Sequence, residues 1–188
     1  MTPVLRIITC STRRGRAGPV VAAWVAAAAA AAEGGFVVES ADLAELALPL
    51  MDEPAHPMLR DYQHDHTKRW SAVVSGADAL ILVTPEYDFF PPASVVNAVQ
   101  YLYHEWAKRP VGIVSYGGLS GGLRATQVLR SLLGNVGAVT PPQSVALPFF
   151  RNQIVEGAFQ PTEVAQGSMK GMLKELAVWA GPLKAMRG

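Results

Sequence analysis

Residue types that bind anions are concentrated in one short segment near the start of the chain, ITCSTRRGRAGPV. This segment holds the hydroxyls of Ser11 and Thr12, three arginines and two glycines, and it joins an apolar run to an alanine-rich one. A loop that enters a helix presents free backbone N–H groups at the positive end of the helix dipole. Hydroxyls add donors, and guanidinium groups bind phosphate oxygens in a bidentate manner. The segment predicts a phosphate-like anion site; the simpler alternative is a solvated turn whose hydroxyls cap the helix.

The spacing of the glycines narrows the choice of anion. No Gly-Lys-Ser/Thr sequence follows Gly15 and Gly18, so the segment is not a P-loop. Only these two glycines fit a G-x-G-x-x-G pattern, which is too few for a dinucleotide fingerprint. One terminal phosphate therefore matches the segment better than a triphosphate or a dinucleotide does.

A second unusual segment, TPEYDFFPPASVVNAVQYL, carries Tyr87, Phe89 and Phe90 between prolines. Pro85 restricts the backbone of the residue before it, and Pro91-Pro92 stiffens the far side. Exposed loops seldom carry three aromatic side chains without a surface to cover. The pattern indicates either a planar heteroaromatic ligand or a partner subunit.

A third segment, SYGGLSGGLRA, has four glycines within six residues. Glycine lets the backbone approach a ligand closely, so that N–H groups can bond the polar edge of a flat ring. The alternative is a glycine-rich turn that only reverses the direction of the chain.

The hydrophobic pattern predicts the elements that position these segments. Apolar, β-branched runs predict five strands at 4–10, 36–41, 79–84, 111–116 and within 138–148. Alanine-rich sequence predicts a first helix from Pro19 to Gly34-Gly35. Apolar residues at helical spacing predict four more helices, whose buried faces are Trp70, Val73, Val74 and Ala77; Val95, Val99, Leu102 and Trp106; Ala125 to Leu133; and Met169 to Leu183. The alternation implies an α/β fold with a parallel sheet covered on both faces. Ligands of such sheets bind beyond the carboxyl ends of the strands, where all three segments fall.

Composition excludes several classes of protein. The chain has 188 residues, of which 50% are hydrophobic and 16% charged, so one globular domain is expected. Because the net charge is only +1, a basic face that binds nucleic acid is not expected. The single cysteine, Cys10, lies in an apolar run and predicts a buried thiol and a reducing compartment. With no signal peptide or membrane span, we expect a cytoplasmic protein. Residues 149–160 are expected to be mobile or to contact a partner.

The three segments together resemble the NADPH-dependent FMN reductase family. The motifs CSTRRGR, PEYD, PASVVNAVQYL and SYGGLSGGLRA occur in the family's order, and the resemblance runs from about Val4 to Pro148. It implies a flavodoxin-like fold: a three-layer α/β/α sandwich with a five-stranded parallel sheet in the order 2-1-3-4-5, forming one FMN-binding domain over 1–188. The chain departs from the family pattern at Cys10, where Gly is usual, at Asp88, where Asn is usual, and at Val96, where Lys is frequent.

The resemblance also implies a role for each loop. The FMN phosphate would be held by the side chains of Ser11, Thr12, Arg13 and Arg16 and the amides near Gly18, Pro19 and Val20. The ribityl chain and ring would be lined by Pro85, Glu86, Tyr87 and Asp88. The other edge of the ring would meet Ser115, Tyr116, Gly117 and Gly118. Arg124 would either set the third loop or meet the phosphates of the nicotinamide cofactor.

The implied activity is that of an FMN-dependent NAD(P)H oxidoreductase. Hydride would pass from NADPH or NADH to bound FMN, and electrons would pass on to a small-molecule acceptor: a free flavin, a quinone, an azo compound or a metal ion. The protein would supply position and electrostatics, with no catalytic side chain and no bound metal. As a lone loop carboxylate, Glu86 is expected to be structural or ligand-orienting.

Assembly and two alternative functions complete the expectations. Family members form dimers or tetramers, so Phe89, Phe90, Tyr101, Tyr103 and Trp106 are candidate interface residues. In HDHTKRW, the side chains of His64 and His66 are expected to diverge on a helix rather than bind metal.

The alternatives to the enzyme are a flavodoxin-like electron carrier or flavin-binding regulatory protein without its own turnover, and a protein that lost the cofactor and acts through protein contacts. Carriers tend to be strongly acidic, so the near-neutral charge favours the enzyme.

Overall fold

A computed structural model describes residues 2–32 and 35–187, and its centre is a five-stranded parallel sheet in the order β2-β1-β3-β4-β5. The strands are β1 (Val4–Thr9), β2 (Val37–Asp42), β3 (Ala79–Pro85), β4 (Val111–Tyr116) and β5 (Val145–Leu147). The predicted fold and strand order are confirmed. Every residue of β3 and β4 is buried, which explains why these two strands read as unbroken apolar runs.

The register of the sheet brings the ends of the strands to one edge. Thr9 pairs with Asp42 on β2 and with Val83 on β3, and Pro85 pairs with Tyr116 on β4. All pairs are parallel, so the loops that follow β1, β3, β4 and β5 leave from the same edge. This edge is called the carboxyl edge below.

In the described residues, six helices cover the two faces of the sheet. Helices α1 (Gly18–Ala30) and α6 (Glu163–Ala185) pack on one face, and α2 (Leu43–Leu46), α3 (Asp65–Ser75), α4 (Ala93–Gln100) and α5 (Leu123–Asn135) pack on the other. The three-layer sandwich follows from these two apolar clusters. Helix α1 ends at Ala30; part of the glycine pair predicted to end it, Gly34, lies outside the described residues. Within the described ranges, no helix is both long and apolar enough to cross a membrane.

Helix α4 is shorter than the spacing of apolar residues predicts. It ends at Gln100, and Leu102 and Trp106 are buried from a series of turns that follow it. The Trp106 indole donates to the carbonyl of Val99 at 3.1 Å, and the Tyr101 hydroxyl donates to the Asp52 carboxylate at 2.9 Å. The prediction that Tyr101 and Trp106 lie at a subunit interface is therefore wrong, because both side chains are fully buried within the chain.

Residues 149–160 form a short structured extension after β5. A 3-10 turn over Phe150–Gln153 leads into a hairpin of β6 (Ile154–Val155) and β7 (Ala158–Phe159). The ring of Phe159 contacts that of Trp24 on α1, with 5.1 Å between centroids. The extension is thereby attached to the α1 face of the sandwich.

The core makes a direct prediction about stability. Leu82, on β3, is 1% exposed, whereas Leu59 is 71% exposed. Leu82→Ala should lower the free energy of unfolding by about 2–5 kcal/mol, because it removes buried methyl groups and leaves a cavity. Leu59→Ala, as the matched control, should change it by less than about 0.5 kcal/mol. Urea denaturation followed by circular dichroism measures both; equal losses would contradict the assignment of β3 to the core.

Candidate functional site

The three predicted loops meet at the carboxyl edge around a cavity of about 380 Å³. The first loop is Ser11–Pro19, the second is Pro85–Pro92 and the third is Ser115–Arg124. The predicted site residues that line the cavity are Arg13, Arg16, Pro85, Glu86, Tyr87, Tyr116, Gly117 and Gly118. Residues from loops that are far apart in the chain thus share one concave surface.

The first loop presents backbone donors to this cavity. The N–H groups of residues 12–15, Ala17 and Gly18 make no hydrogen bond to the described parts of the chain. Val20 N–H is taken by the Ala17 carbonyl at 3.1 Å, and Pro19 has no N–H, so the free donors come from the loop and the first helical residue. Together they form the positive end of α1, to which the helix dipole adds about half an elementary charge.

Two hydroxyls are buried beside this helix start without a partner. Ser11 Oγ and the Tyr116 hydroxyl are inaccessible to solvent and lie beside each other, and neither makes a hydrogen bond of good geometry within the described residues. Burial raises the pKa of Tyr116, so its hydroxyl stays protonated. A methyl group placed on Gly18 would clash with Ser11 Oγ and lie 2.9 Å from the Tyr116 hydroxyl, so only glycine leaves this space open. Because unpaired buried hydroxyls are costly, their presence points to a polar ligand at this position.

Arg16 holds the first loop in place. Its Nη1 donates to the Ser11 carbonyl at 2.6 Å and to Asp42 Oδ1 at 2.5 Å. Asp42 Oδ1 also accepts from Ala44 N–H at 2.9 Å, where it caps α2. The hydrogen bond that Arg16 donates to Asp42 raises the pKa of Arg16, against the opposing effect of burial. Arg16 is therefore neutralised by Asp42, although it borders the cavity.

Arg13 is the arginine of this loop that borders the cavity and keeps its charge available. Its guanidinium lies over the Tyr87 ring, 5.5 Å from the centroid, in the geometry of a cation–π contact. No carboxylate pairs with Arg13 among the residues that the structure describes. It borders the cavity and can meet an anion there.

The second loop makes a tight turn at its tip. Tyr87 and Phe90 exchange two backbone hydrogen bonds of 2.9 Å, and the residues between them, Asp88 and Phe89, have φ of 47° and 69°. Two central residues at positive φ are typical of a type I′ turn, which Asn and Asp tolerate and Phe does not favour. Asp88 therefore keeps the backbone role of the usual Asn. The turn leaves Phe89 and Phe90 exposed.

Glu86 joins the second loop to the third. Its carboxylate accepts from the Ser120 hydroxyl at 2.7 Å, from Arg124 N–H at 3.0 Å and from Ala125 N–H at 3.2 Å. Burial alone would raise the pKa of Glu86, but these hydrogen bonds outweigh it and hold the pKa below its ordinary value. These contacts give Glu86 a structural role, which is one of the two roles expected for it.

Arg124 and Ser115 serve the third loop. The Arg124 guanidinium lies 3.3 Å from Glu86 Oε1 and 4.3 Å from the centroid of the Phe89 ring. The Ser115 hydroxyl donates to the Gly121 carbonyl at 2.9 Å. Of the two predicted roles of Arg124, setting the loop is the one that this geometry supports.

The remaining predicted residues lie beside the cavity. Thr12 borders a neighbouring pocket with Ser94 and Asn97. The Ser94 hydroxyl donates to the Cys10 carbonyl at 2.6 Å and so ties α4 to the start of the first loop. The Cys10 side chain is fully buried, as predicted, and burial raises the pKa of its thiol. It forms part of the floor under the loop rather than of the cavity.

The sequence analysis missed one wall of the cavity, residues 149–152. Phe149, Phe150, Arg151 and Asn152 line it, together with Gly15 and Ala17. The Phe150 ring contacts that of Tyr116, with 4.8 Å between centroids, and Phe149 N–H donates to the Gly118 carbonyl at 3.0 Å. The signal was present, because residues that follow the fifth parallel strand must also leave from the carboxyl edge.

The expected divergence of His64 and His66 is wrong. Their rings stack with 5.1 Å between centroids and an interplanar angle of 14°. His64 precedes α3 and has extended backbone angles, so the two side chains do not follow helical directions. His66 Nε2 lies 2.9 Å from Asp52 Oδ1. Among the described residues, no group of three or more His, Cys, Asp or Glu side chains is arranged to hold a metal ion.

The arrangement can bind a molecule that has an anionic end and a flat body. Free amides, Ser11 and Arg13 converge at the start of α1, while Tyr87, Tyr116 and the Gly117-Gly118 backbone line the rest of the cavity. Within the described chain, the one carboxylate that lines the cavity is Glu86, and its oxygens are already bonded. The site therefore has a positive end and no free general base.

Comparisons with known proteins agree with this geometry. The family model described as NADPH-dependent FMN reductase matches residues 4–152. An NAD(P)H-dependent FMN reductase of Schizosaccharomyces pombe is 38% identical over 163 residues, which cover 86% of this chain and 80% of the relative. A protein of the same description from Nectria sp is 32% identical, with 88% of this chain and 85% of the relative covered.

Solved structures show the same fold. The FerB flavoenzyme, an NAD(P)H:acceptor oxidoreductase of Paracoccus denitrificans, superposes with a TM-score of 0.74 at 18% identity, covering 96% of this chain and 98% of that one. Megasphaera elsdenii flavodoxin gives a TM-score of 0.57 at 15% identity, with 91% and 99% covered. At these identities the likeness concerns the fold alone.

Glu86 predicts a pH-dependent contribution to stability. Because its folded-state pKa is depressed below 4.5, the ionised carboxylate stabilises the fold above that pH, and this contribution is lost as the pH falls through the lower folded-state pKa. Glu86→Gln should lower the free energy of unfolding at pH 7 by about 1–3 kcal/mol. The difference from the unmodified chain should shrink below about pH 4.5.

Urea denaturation at several pH values measures this effect. Glu156→Gln is the matched control, since Glu156 is exposed and makes no hydrogen bond through its side chain within the described residues. A difference for Glu86→Gln that is independent of pH would contradict the assignment of its stabilising role to the ionised carboxylate.

Proposed function

The chain belongs to the NADPH-dependent FMN reductase family, and we propose that the cavity at the carboxyl edge is its FMN site. As a member of this family it is an NAD(P)H-dependent oxidoreductase with FMN as its flavin. The observation that carries the assignment of the site is the buried, unpartnered Ser11 hydroxyl beside the free amides at the start of α1.

The chain's own residues fit the phosphate of FMN at this end of the cavity. The free N–H groups of residues 12–15 and Gly18 supply donors, and Ser11 Oγ supplies a hydroxyl that otherwise has no partner. Arg13 supplies the positive charge that Arg16 cannot, because Arg16 is paired with Asp42. A dianionic phosphate gains from each of these groups and from the helix dipole.

The other loops fit the ribityl chain and the ring. Pro85 and Tyr87 form one wall, and the backbone of Gly117 and Gly118 forms another, with Gly118 N–H free of partners in the described chain. Such an N–H can donate to the polar edge of a heteroaromatic ring. Glu86 and Ser115 act behind these walls by fixing the loops through the hydrogen bonds already described.

Bound FMN supplies the acceptance of hydride from NAD(P)H and the release of electrons to an acceptor. The residues described above bind and orient, and we assign no proton transfer to any side chain of the site. The one carboxylate bordering the cavity, Glu86, is held in its ionised form by its hydrogen bonds, so it stabilises loops rather than titrating in the reaction. Rate enhancement then comes from positioning two rings against each other.

The names of the relatives favour turnover over the alternatives. The matched relatives are named as reductases, which supports an enzyme rather than an electron carrier or a protein without cofactor. An NADPH azoreductase of Bacillus sp. is also 32% identical, over 60% of this chain. Azo compounds are therefore one acceptor class to test, beside quinones, free flavins and metal ions.

The oligomeric state, the extent of the FMN-binding domain and the cellular location of the protein stay predictions. We propose that the whole chain acts as one FMN-binding domain, and that it forms a homodimer or homotetramer through the exposed Phe89 and Phe90. A cytoplasmic location remains expected from the single cysteine. Binding of nucleic acid is not expected from a net charge of +1.

The phosphate assignment predicts a selective loss of FMN affinity. Arg13→Ala should weaken FMN binding about tenfold or more, because it removes a charged hydrogen-bond donor worth about 1.5–3 kcal/mol. It should change riboflavin binding much less, since riboflavin lacks the phosphate. Arg14→Ala is the matched control, because Arg14 is exposed on the same loop and does not border the cavity.

Quenching of flavin fluorescence measures these affinities in purified protein stripped of flavin. Oxidation of NADPH and NADH with FMN loaded, across a panel of quinones, azo dyes and free flavins, tests the activity itself. Failure of the unmodified chain to bind FMN would overturn the proposed site, and equal losses for FMN and riboflavin would overturn the role of Arg13.

A further inference from the structure

The guanidinium groups around the cavity differ in whether a carboxylate of the chain already pairs with them. Arg16 is paired with Asp42, and Arg124 lies against Glu86 and does not border the cavity. Arg13 and Arg151 both border it, and no carboxylate or hydrogen-bond acceptor pairs with either guanidinium in the described chain. FMN carries a single phosphate, and the start of α1 and Arg13 already supply donors and positive charge for it. Arg151 is therefore a second positive group for which FMN offers no further anion.

Arg151 and the first loop follow strands that are not adjacent in the sheet. Arg151 follows β5, whereas the first loop follows β1, and β3 and β4 lie between them. At 4.7–4.9 Å per strand, the ends of β1 and β5 are about 14 Å apart. Arg151 therefore belongs to a different wall of the cavity from the first loop, although both walls border the same space.

The segment that carries Arg151 is held against the cavity by several contacts. Phe149 N–H donates to the Gly118 carbonyl at 3.0 Å, and Gln153 Nε2 donates to the Pro148 carbonyl at 2.9 Å. Phe150 contacts the Tyr116 ring, and the Arg151 guanidinium lies 5.5 Å from the centroid of the Phe150 ring. The exposed guanidinium is thus placed at the cavity mouth by a backbone that is fixed on both sides.

We propose that Arg151 recognises a phosphate group of the nicotinamide dinucleotide. This inference rests on the proposed function, because it takes the cavity to hold FMN. The dinucleotide brings a pyrophosphate, and NADPH adds a 2′-phosphate; both are anions that a planar guanidinium binds in a bidentate manner. Arg151 is then a binding residue for the reductant, separate from the FMN phosphate group.

The test uses FMN-loaded protein and titrates it with NAD⁺ and NADP⁺ by calorimetry, since neither oxidised dinucleotide reduces the flavin. Arg151→Ala should weaken dinucleotide binding about tenfold, or about 1.4 kcal/mol at 25 °C. Arg151→Lys should recover part of the loss. Arg69→Ala removes the same charge from an exposed position on α3, away from the cavity, and should leave binding unchanged.

The pattern of losses identifies which phosphate Arg151 meets. A loss for NADP⁺ alone supports contact with the 2′-phosphate, and equal losses for both dinucleotides support contact with the pyrophosphate. In steady-state turnover, the same variant should raise KM for the corresponding reductant and leave kcat nearly unchanged.

FMN affinity, measured in parallel by fluorescence quenching, separates this inference from the proposed function. Weaker FMN binding in Arg151→Ala would assign the residue to the flavin phosphate and overturn the inference. Unchanged dinucleotide binding, or an equal loss in Arg69→Ala, would overturn it as well. Absence of FMN binding in the unmodified chain would instead overturn the proposed function, and the inference with it.

Discussion

The hydrogen bonds of the Glu86 carboxylate are the interaction on which the candidate site depends most. One side chain at the end of β3 accepts from Ser120 and from the first N–H groups of α5, so the second and third loops are joined. An ionised carboxylate at a helix start is stabilised by the helix dipole as well as by its donors. Without this link, the glycines of the third loop would have few constraints, and the ring end of the cavity would lose one wall.

The first loop is fixed in a similar way, but by a cation, Arg16, instead of an anion. Arg16 connects the Ser11 carbonyl to Asp42, which itself caps α2, so a cation, an anion and a helix start form one connected group. In these pairs, the charged side chains that hold the loops neutralise each other. Arg13 and Arg151, which border the cavity, are not paired in this way. The division between paired and unpaired guanidinium groups explains how a chain with a net charge of +1 presents two unpaired arginines to one pocket.

The sequence was sufficient to predict the sheet and the meeting of the three loops, because parallel topology places all loops after the strands at one edge. It could not predict which arginine of the first loop is neutralised, since Asp42 becomes a neighbour only through the pairing of β1 with β2. The helical spacing up to Trp106 predicted too long a helix, because turns that follow Gln100 also bury Leu102 and Trp106. The wall at 149–152 follows the part of the chain that resembled the family, so no motif marked it.

The position of Cys10 has a consequence for a protein that handles reducing equivalents. Its side chain is fully buried beneath the first loop, its Sγ donates to the Ile8 carbonyl at 3.4 Å, and burial raises its pKa. Oxidants attack the thiolate rather than the thiol, and they require access to it. The chain thus carries its single sulfhydryl next to the candidate site in a form that resists oxidative damage, and this protection would vanish if the first loop opened.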